Sequence, residues 1–176
     1  SNLGIPKTTV EKFLPAVLEK WPRGSVRSTV IRIQQDNAPV HSAAADQAII
    51  AKAKEMGLTI RPYYQPANSP DTNIQDLAFF ASLQADIRKV QKKTMGDLIK
   101  AVEECYEEYP ATKLNRAFLS LQACLNEIML CGGGNGYKIP HLGKDRLEQM
   151  DQLPVSLQVD PAAQYWVAQL SASSDA

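Results

Sequence analysis

Apolar positions along the chain fall into short periodic runs separated by Pro, Gly, Asn and Asp. Val10, Phe13, Leu14, Val17, Leu18 and Trp21 recur at helical spacing, so 10–21 reads as an amphipathic helix. Pro15 inside it marks either a late helix start or a kink, and Pro22 and Gly24 end the segment. Residues 27–35 are rich in β-branched side chains and predict a strand, followed by a DNAPVH loop at 36–41. Ser42 has N-cap chemistry for a helix reaching about Met56, with Ala45, Ala48, Ile49, Lys52 and Met56 along one side. Lys52 is the polar flaw in that stripe, and its stem is long enough to snorkel. Gly57 terminates the helix. In 58–63, Leu58, Ile60 and Pro62 alternate with Thr59, Arg61 and Tyr63, a short strand. Strand, helix, strand in this order predicts parallel pairing and a right-handed crossover.

The remainder predicts helices. QPANSPDTN at 65–73 is a structured loop. A helix over 74–90 buries Leu77, Phe80, Leu83, Ile87 and Val90. Thr94 and Asp97 form a capping box opening a helix through Tyr109, striped by Met95, Leu98, Val102, Cys105 and Tyr109. Pro110 breaks it. Thr112 caps the next helix, whose core stripe is Leu114, Phe118, Leu121, Leu125, Ile128 and Cys131, and GGGNG at 132–136 stops it. A short helix follows over 143–150. From 151 the chain is a Gln-, Ser- and Ala-rich tail with frayed last residues. The fold class expected is α/β, a small parallel sheet with a mainly helical C-terminal part.

Composition narrows the possible partners. The 176 residues carry 19 basic and 19 acidic side chains, so a whole-domain basic footprint for nucleic acid is absent. A hydrophobic share of 44% is too high for general disorder. No apolar run reaches the ~18–20 residues that a bilayer requires, and no basic-then-apolar leader argues for secretion. Cys105, Cys124 and Cys131 are an odd set, which fits a reducing, intracellular compartment. The opening Ser1 leaves a fragment, a processed chain or an added residue open.

Two carboxylates stand where chemistry gathers. Asp36 follows a strand, and Asp76 opens a helix after a Pro-rich loop. Active groups of open α/β sheets collect at the C-terminal ends of strands. Carboxylates there suit Mg²⁺, which takes few of them plus waters and phosphates. Read for structure alone, an Asp in a first helical turn serves the dipole, and one after a strand makes a turn. Asp46 and Asp71 read as turn residues in this way, the other reading of Asp71 being a further acid near the metal.

The surrounding residues add a family. QQDNAPVH (34–41) and QPANSPDTNIQDLAFF (65–80) resemble the catalytic region of Tc/mariner DDE transposases, and NSPDTN followed by DL and FF resembles the plant-type mariner branch. The 39 residues between Asp36 and Asp76 match that branch's interval. VEKFLPAVLEKWP (10–22) and CGGGNGYKIPH (131–141) resemble flanking parts of the same region, so the likeness covers about 10–150. It implies a partial RNase H-like fold. It also implies Asp36 and Asp76 as the second and third catalytic, metal-binding acids for Mg²⁺ or Mn²⁺, with converging carboxyl groups. DNA is the implied partner, as transposon ends and target, with homo-oligomers and a nuclear location.

One departure matters. The family's first catalytic Asp, on an earlier strand, has no counterpart, so the chain is expected to be inactive alone. Residues 1–9 resemble instead a helix-turn-helix remnant, as after an internal deletion near Thr9 and Val10; the other reading is a chance match at a disordered start. Asn37 is expected to shape the metal loop and His41 to approach a phosphate; the structural alternatives are an Asx-type turn and a helix-start His. Arg88, Lys89, Lys92 and Lys93 form a basic cluster that would meet DNA phosphates, or a solvated helix end suited to the dipole. Cys124, Cys131 and His141 lack zinc-ligand spacing, and no Gly-Lys-Ser/Thr makes a phosphate loop of 132–136. The alternative from another class is a non-catalytic nucleic-acid-binding or interaction protein derived from a transposase.

Overall fold

The computed structural model describes residues 9–21, 29–38 and 43–174. The expectations for 1–8, the 22–28 break, His41 and the Ser42 cap lie outside them. The chain is mixed α/β, with a two-stranded parallel sheet and a majority of helix. It forms two compact units, 1–67 and 68–176.

In the first unit a π-helical turn, Thr9–Phe13, leads into α1, Leu14–Lys20. Pro15 sits in the first turn of α1, but the chain is already helical before it, through the π-helical turn and Phe13 at φ −69°, ψ −48°; the late start is not observed, and the proline's missing N–H coincides with an irregular turn inside a longer helical stretch. Strand β1 is Val30–Gln35, helix α2 is Ala43–Glu55, and strand β2 is Thr59–Tyr64. The strands pair in parallel, as the order of elements predicts, with Ile31 opposite Ile60 and Gln35 opposite Tyr64. Leu14, Ile31, Ile49, Ala53, Leu58 and Ile60 form the core, with Val17, Leu18, Trp21, Ile33 and Met56 packed around it. The buried stripe of α2 is Ala45, Ile49 and Ala53, one helical turn apart. Ala48 and Lys52 are exposed, so the stripe runs about one residue away from the expected one. Lys52 does not snorkel; it pairs with Glu55 at 2.7 Å. Gly57 ends α2 with φ 76°. Its N–H donates to the Lys54 carbonyl and the N–H of Leu58 to that of Ala53, the double bond of a glycine C-terminus.

The second unit is helical. Residues Pro70–Thr72 make a 3₁₀ turn, Gln75–Phe79 a π-helical turn, and α3 runs Phe80–Lys89. A π turn carries more residues per turn than an α turn, which rotates the faces. The apolar side therefore runs through Phe79, Leu83 and Ile87, while Phe80 and Val90, expected inside, are exposed. Helix α4 is Met95–Glu107, opened by the expected box: Asp97 N–H donates to Thr94 Oγ1, and Asp97 accepts from the Thr94 N–H.

Helix α5 is Ala111–Leu130 and begins one residue before the expected Thr112 cap, on Pro110. Its buried face is Ala117, Leu119, Ala123 and Cys124. Leu114, Phe118 and Leu125, expected in the core, are about 40% exposed, and Cys131 lies open. Packing against several neighbours buried Leu119 together with small residues, rather than the stripe of largest residues. Gly132 and Gly133 stop α5 at positive φ. Helix α6 is Lys144–Gln149, and α7 is Pro161–Ser174 where a tail was expected. Ala163 of α7 is fully buried and α7 packs on α5. The low polarity contrast of its Ala- and Gln-rich sequence hides that face. Residues 175–176 are not among the described ones. No helix among the described residues is long and apolar enough to cross a membrane.

Candidate functional site

Asp36 follows β1 directly and is exposed. Its Oδ1 accepts from the Ala38 N–H at 3.1 Å, an Asx turn. The pairing of the strands extends one step, because Gln65 N–H donates to the Gln35 carbonyl at 2.8 Å. Asn37 then donates from its side-chain amide to the Gln65 carbonyl at 3.1 Å. The Asn37 contact therefore ties the loop carrying Asp36 to the end of β2.

Behind this edge, Asp46 in the first turn of α2 accepts from Gln35 Nε2 at 2.8 Å and from the Tyr64 hydroxyl at 2.9 Å. Donation to a carboxylate holds the Tyr64 hydroxyl pKa above its ordinary value. Asp46 thus bridges the last residues of both strands, a role its expected place as a turn residue does not reveal. Both partners are far from it in the chain, and only the parallel register brings them to one carboxylate.

Asp76 lies in the π turn that opens the α3 segment and is exposed. Asn73 organises it: its amide donates to Asp76 Oδ2 at 2.8 Å, and its side-chain oxygen accepts from the Gln75 N–H at 3.1 Å. Asp71 sits inside the Pro70–Thr72 turn, and the Thr72 hydroxyl donates to the Ser69 carbonyl at 2.7 Å. The NSPDTN motif is therefore a bonded turn that presents Asp76 at a helix start. Asp36 belongs to the first unit and Asp76 to the second.

The basic cluster at the end of α3 is partly engaged. Lys89 pairs with Asp86 at 2.8 Å, which holds the Lys89 pKa up. Lys92 donates to the Ile87 carbonyl, satisfying a helix-end acceptor. Arg88 reaches Gln84 at 3.5 Å, and Arg88 and Lys93 are exposed. An ion pair with Asp86 and a bond to a helix-end carbonyl engage two of the four cations, Lys89 and Lys92.

A second charged group went unread in the sequence. Arg116 on α5 donates to Asp145 and Glu148 on α6, and Lys144 donates to the Arg116 carbonyl and the Ser120 hydroxyl. The acids raise the Arg116 pKa, and Arg116 lowers that of Asp145. Desolvation, with Arg116 close by, lowers that of Lys144. Arg116, Lys144, Asp145 and Glu148, with Lys113, Ser82, Thr112 and Tyr109, line an open cleft of about 480 Å³. The only sequence signal was the i, i+3 spacing of Lys113 and Arg116; the partners lie 29 and 32 residues further on.

Asp36 and Asp76 supply the hard carboxylate oxygens that Mg²⁺ and Mn²⁺ prefer, so the donor chemistry fits the implied ion. The number of donors is small: among the described residues no group of three or more His, Cys, Asp or Glu side chains gathers to hold a metal. Comparison with protein-family models, with curated proteins and with solved structures finds no match for this chain.

Proposed function

We propose that the chain is the C-terminal part of the catalytic region of a mariner-like DDE transposase, with a partial RNase H-like fold. The observation that carries this reading is the parallel strand–helix–strand unit whose first strand ends directly in Asp36, at the edge where α/β sheets collect reactive groups. The turn presenting Asp76 supports it. Asp36 and Asp76 would hold Mg²⁺ or Mn²⁺, which supplies activation of the attacking water and charge stabilisation at the leaving oxygen in DNA cleavage. With no counterpart of the family's first acid, the chain by itself does not cut or join DNA. Its partner on this reading is DNA, its state a homo-oligomer and its place the nucleus.

Of the second reading, a non-catalytic nucleic-acid-binding or interaction protein derived from a transposase, the interaction half is favoured by the internal engagement of Lys89 and Lys92 and the zero net charge, which leave little basic surface for nucleic acid. Calorimetry of Mg²⁺ and Mn²⁺ on the chain separates the two. Weak binding lost in both Asp36→Asn and Asp76→Asn supports the transposase reading; binding untouched by either substitution sinks it. A nicking assay on supercoiled DNA tests the inactivity, and nicking that disappears in both variants would refute it.

A further inference from the structure

The two strands end in polar residues where their core rows would otherwise continue. Ile31, Ile33 and Gln35 of β1 alternate onto one face, and their register partners Ile60, Pro62 and Tyr64 of β2 onto the same one. Ile31 and Ile60 pack there with Ile49 and Ala53 of α2. The last pair, Gln35 and Tyr64, meets a carboxylate instead: each oxygen of Asp46 accepts one bond, Oδ1 from Gln35 and Oδ2 from the Tyr64 hydroxyl. Bonds to a charged acceptor are stronger than bonds between neutral groups. They close a ring. It runs from Asp46 to Gln35, along the chain through Asp36 to Asn37, across to the Gln65 carbonyl, and back through Tyr64 to Asp46. The Gln65 N–H, donating to the Gln35 carbonyl, braces the ring from within. On the opposite face the Tyr63 hydroxyl donates to Gln34 Oε1 at 3.0 Å.

We propose that Asp46 is a positioning residue for Asp36: by holding Gln35 and Tyr64 together it fixes the backbone that carries the Asp36 carboxylate. The use of that placement, presenting Asp36 to Mg²⁺ or Mn²⁺, rests on the transposase reading. A ligand group is held to within about 0.5 Å only when the residues around it are themselves bonded, and the ring supplies such bonds on both sides of Asp36. An acid serving only the dipole of α2 would need no partner on either strand.

The test is ¹⁵N relaxation of the full chain, with Mn²⁺ affinity read in parallel from water-proton relaxation. Order parameters at Asp36, Asn37 and Ala38 are expected near the rigid value of about 0.85, and below about 0.6 in Asp46→Ala, while Ile31 and Ile60 stay rigid. Asp46→Asn should recover the order lost in Asp46→Ala, because its side-chain oxygen can accept from Tyr64 and its amide can donate to a turned-over Gln35. Mn²⁺ affinity should fall several-fold in Asp46→Ala, recover in Asp46→Asn, and be indifferent to Asp46→Ala once Asp36→Asn is present. A segment as ordered in Asp46→Ala as in the unaltered chain, or already loose in the latter, overturns the proposal. So does loosening that spreads equally to Ile31 and Ile60, the mark of a merely structural acid. Mn²⁺ affinity that falls in Asp36→Asn but not in Asp46→Ala also overturns it, and affinity lost in Asp46→Asn would make Asp46 a ligand instead. Local loosening in Asp46→Ala with Mn²⁺ affinity untouched by Asp36→Asn leaves the positioning of Asp36 standing and sinks the transposase reading alone.

Discussion

Lys113 on α5 donates to the Asp86 carboxylate on α3 at 2.6 Å, and the same carboxylate accepts from Lys89 at 2.8 Å. Lys113, then Lys89, hold the Asp86 pKa below the usual carboxylate range. A group whose folded pKa is depressed contributes stability that is present above its unfolded value and lost as pH falls through the folded one. Asp97, held low chiefly by the Lys93 N–H, and Asp145, held low by Arg116, act in the same direction. The melting temperature should therefore be flat from neutral pH to about 5 and fall below about pH 4. Asp86→Asn should shrink that acid-side loss; an identical slope in the variant would show that Asp86 does not contribute.

The same contacts rank the cations of the basic cluster. If the end of α3 meets DNA, Arg88→Ala and Lys93→Ala should each weaken binding and lower the salt slope by about one. Lys89→Ala should do less, because Lys89 is bonded to Asp86. Fluorescence anisotropy with a duplex at several salt concentrations reads all three. Equal losses would mean that the Asp86 pair opens on binding.

Asn126 holds the chain that leads into α7. Its amide donates to the Gln158 carbonyl at 3.1 Å, and its side-chain oxygen accepts from the Asp160 N–H at 3.2 Å. Asn126→Ala removes both bonds and should cost about 1–2 kcal/mol. Urea unfolding should show a lower midpoint at unchanged slope. A midpoint shifted by less than the measurement error would mean that water replaces both contacts.

Gly57 stands at φ 76° between α2 and β2. A Cβ there meets the steric cost of the left-handed region, about 1–2 kcal/mol. Gly57→Ala should destabilise by that amount, and Gly57→Asn by less, since Asn tolerates this conformation. Thermal melts of the two variants decide it, with Asn no better than Ala as the contrary result.

The parallel sheet was legible because a β-branched run and an alternating run flank a helix that ends in Gly57, and the order of elements then leaves one simple pairing. Thr94 and Asp97 were legible because a capping box is local. The inner face of α5 was not. Periodicity picked the stripe through Leu114, Phe118 and Leu125, whereas packing from several directions buried Leu119 with the smaller Ala117, Ala123 and Cys124. Phe79 shows the second limit. The π turn that precedes α3 moves it inward, its ring 4.9 Å from that of Tyr109, and no α-period anticipates an irregular turn. At the candidate site, Asp36, Asn37 and Asp76 were read from motifs. The partners that fix them divide by range: Asn73 is a local partner, three residues from Asp76, while Gln65 meets Asn37 across 28 residues.

Helix α6 is six residues long, too short to persist alone in water. What holds it is Arg116 and Ser120, two side chains one turn apart on α5, with the Arg116 carbonyl. This sets an order in time. Helix α5 must be formed before α6 has anything to lean on, and α6 must be lost whenever the middle of α5 opens. The backbone N–H groups of 147–149, the first in α6 to have helical acceptors, therefore exchange with solvent at least as fast as the middle of α5 opens.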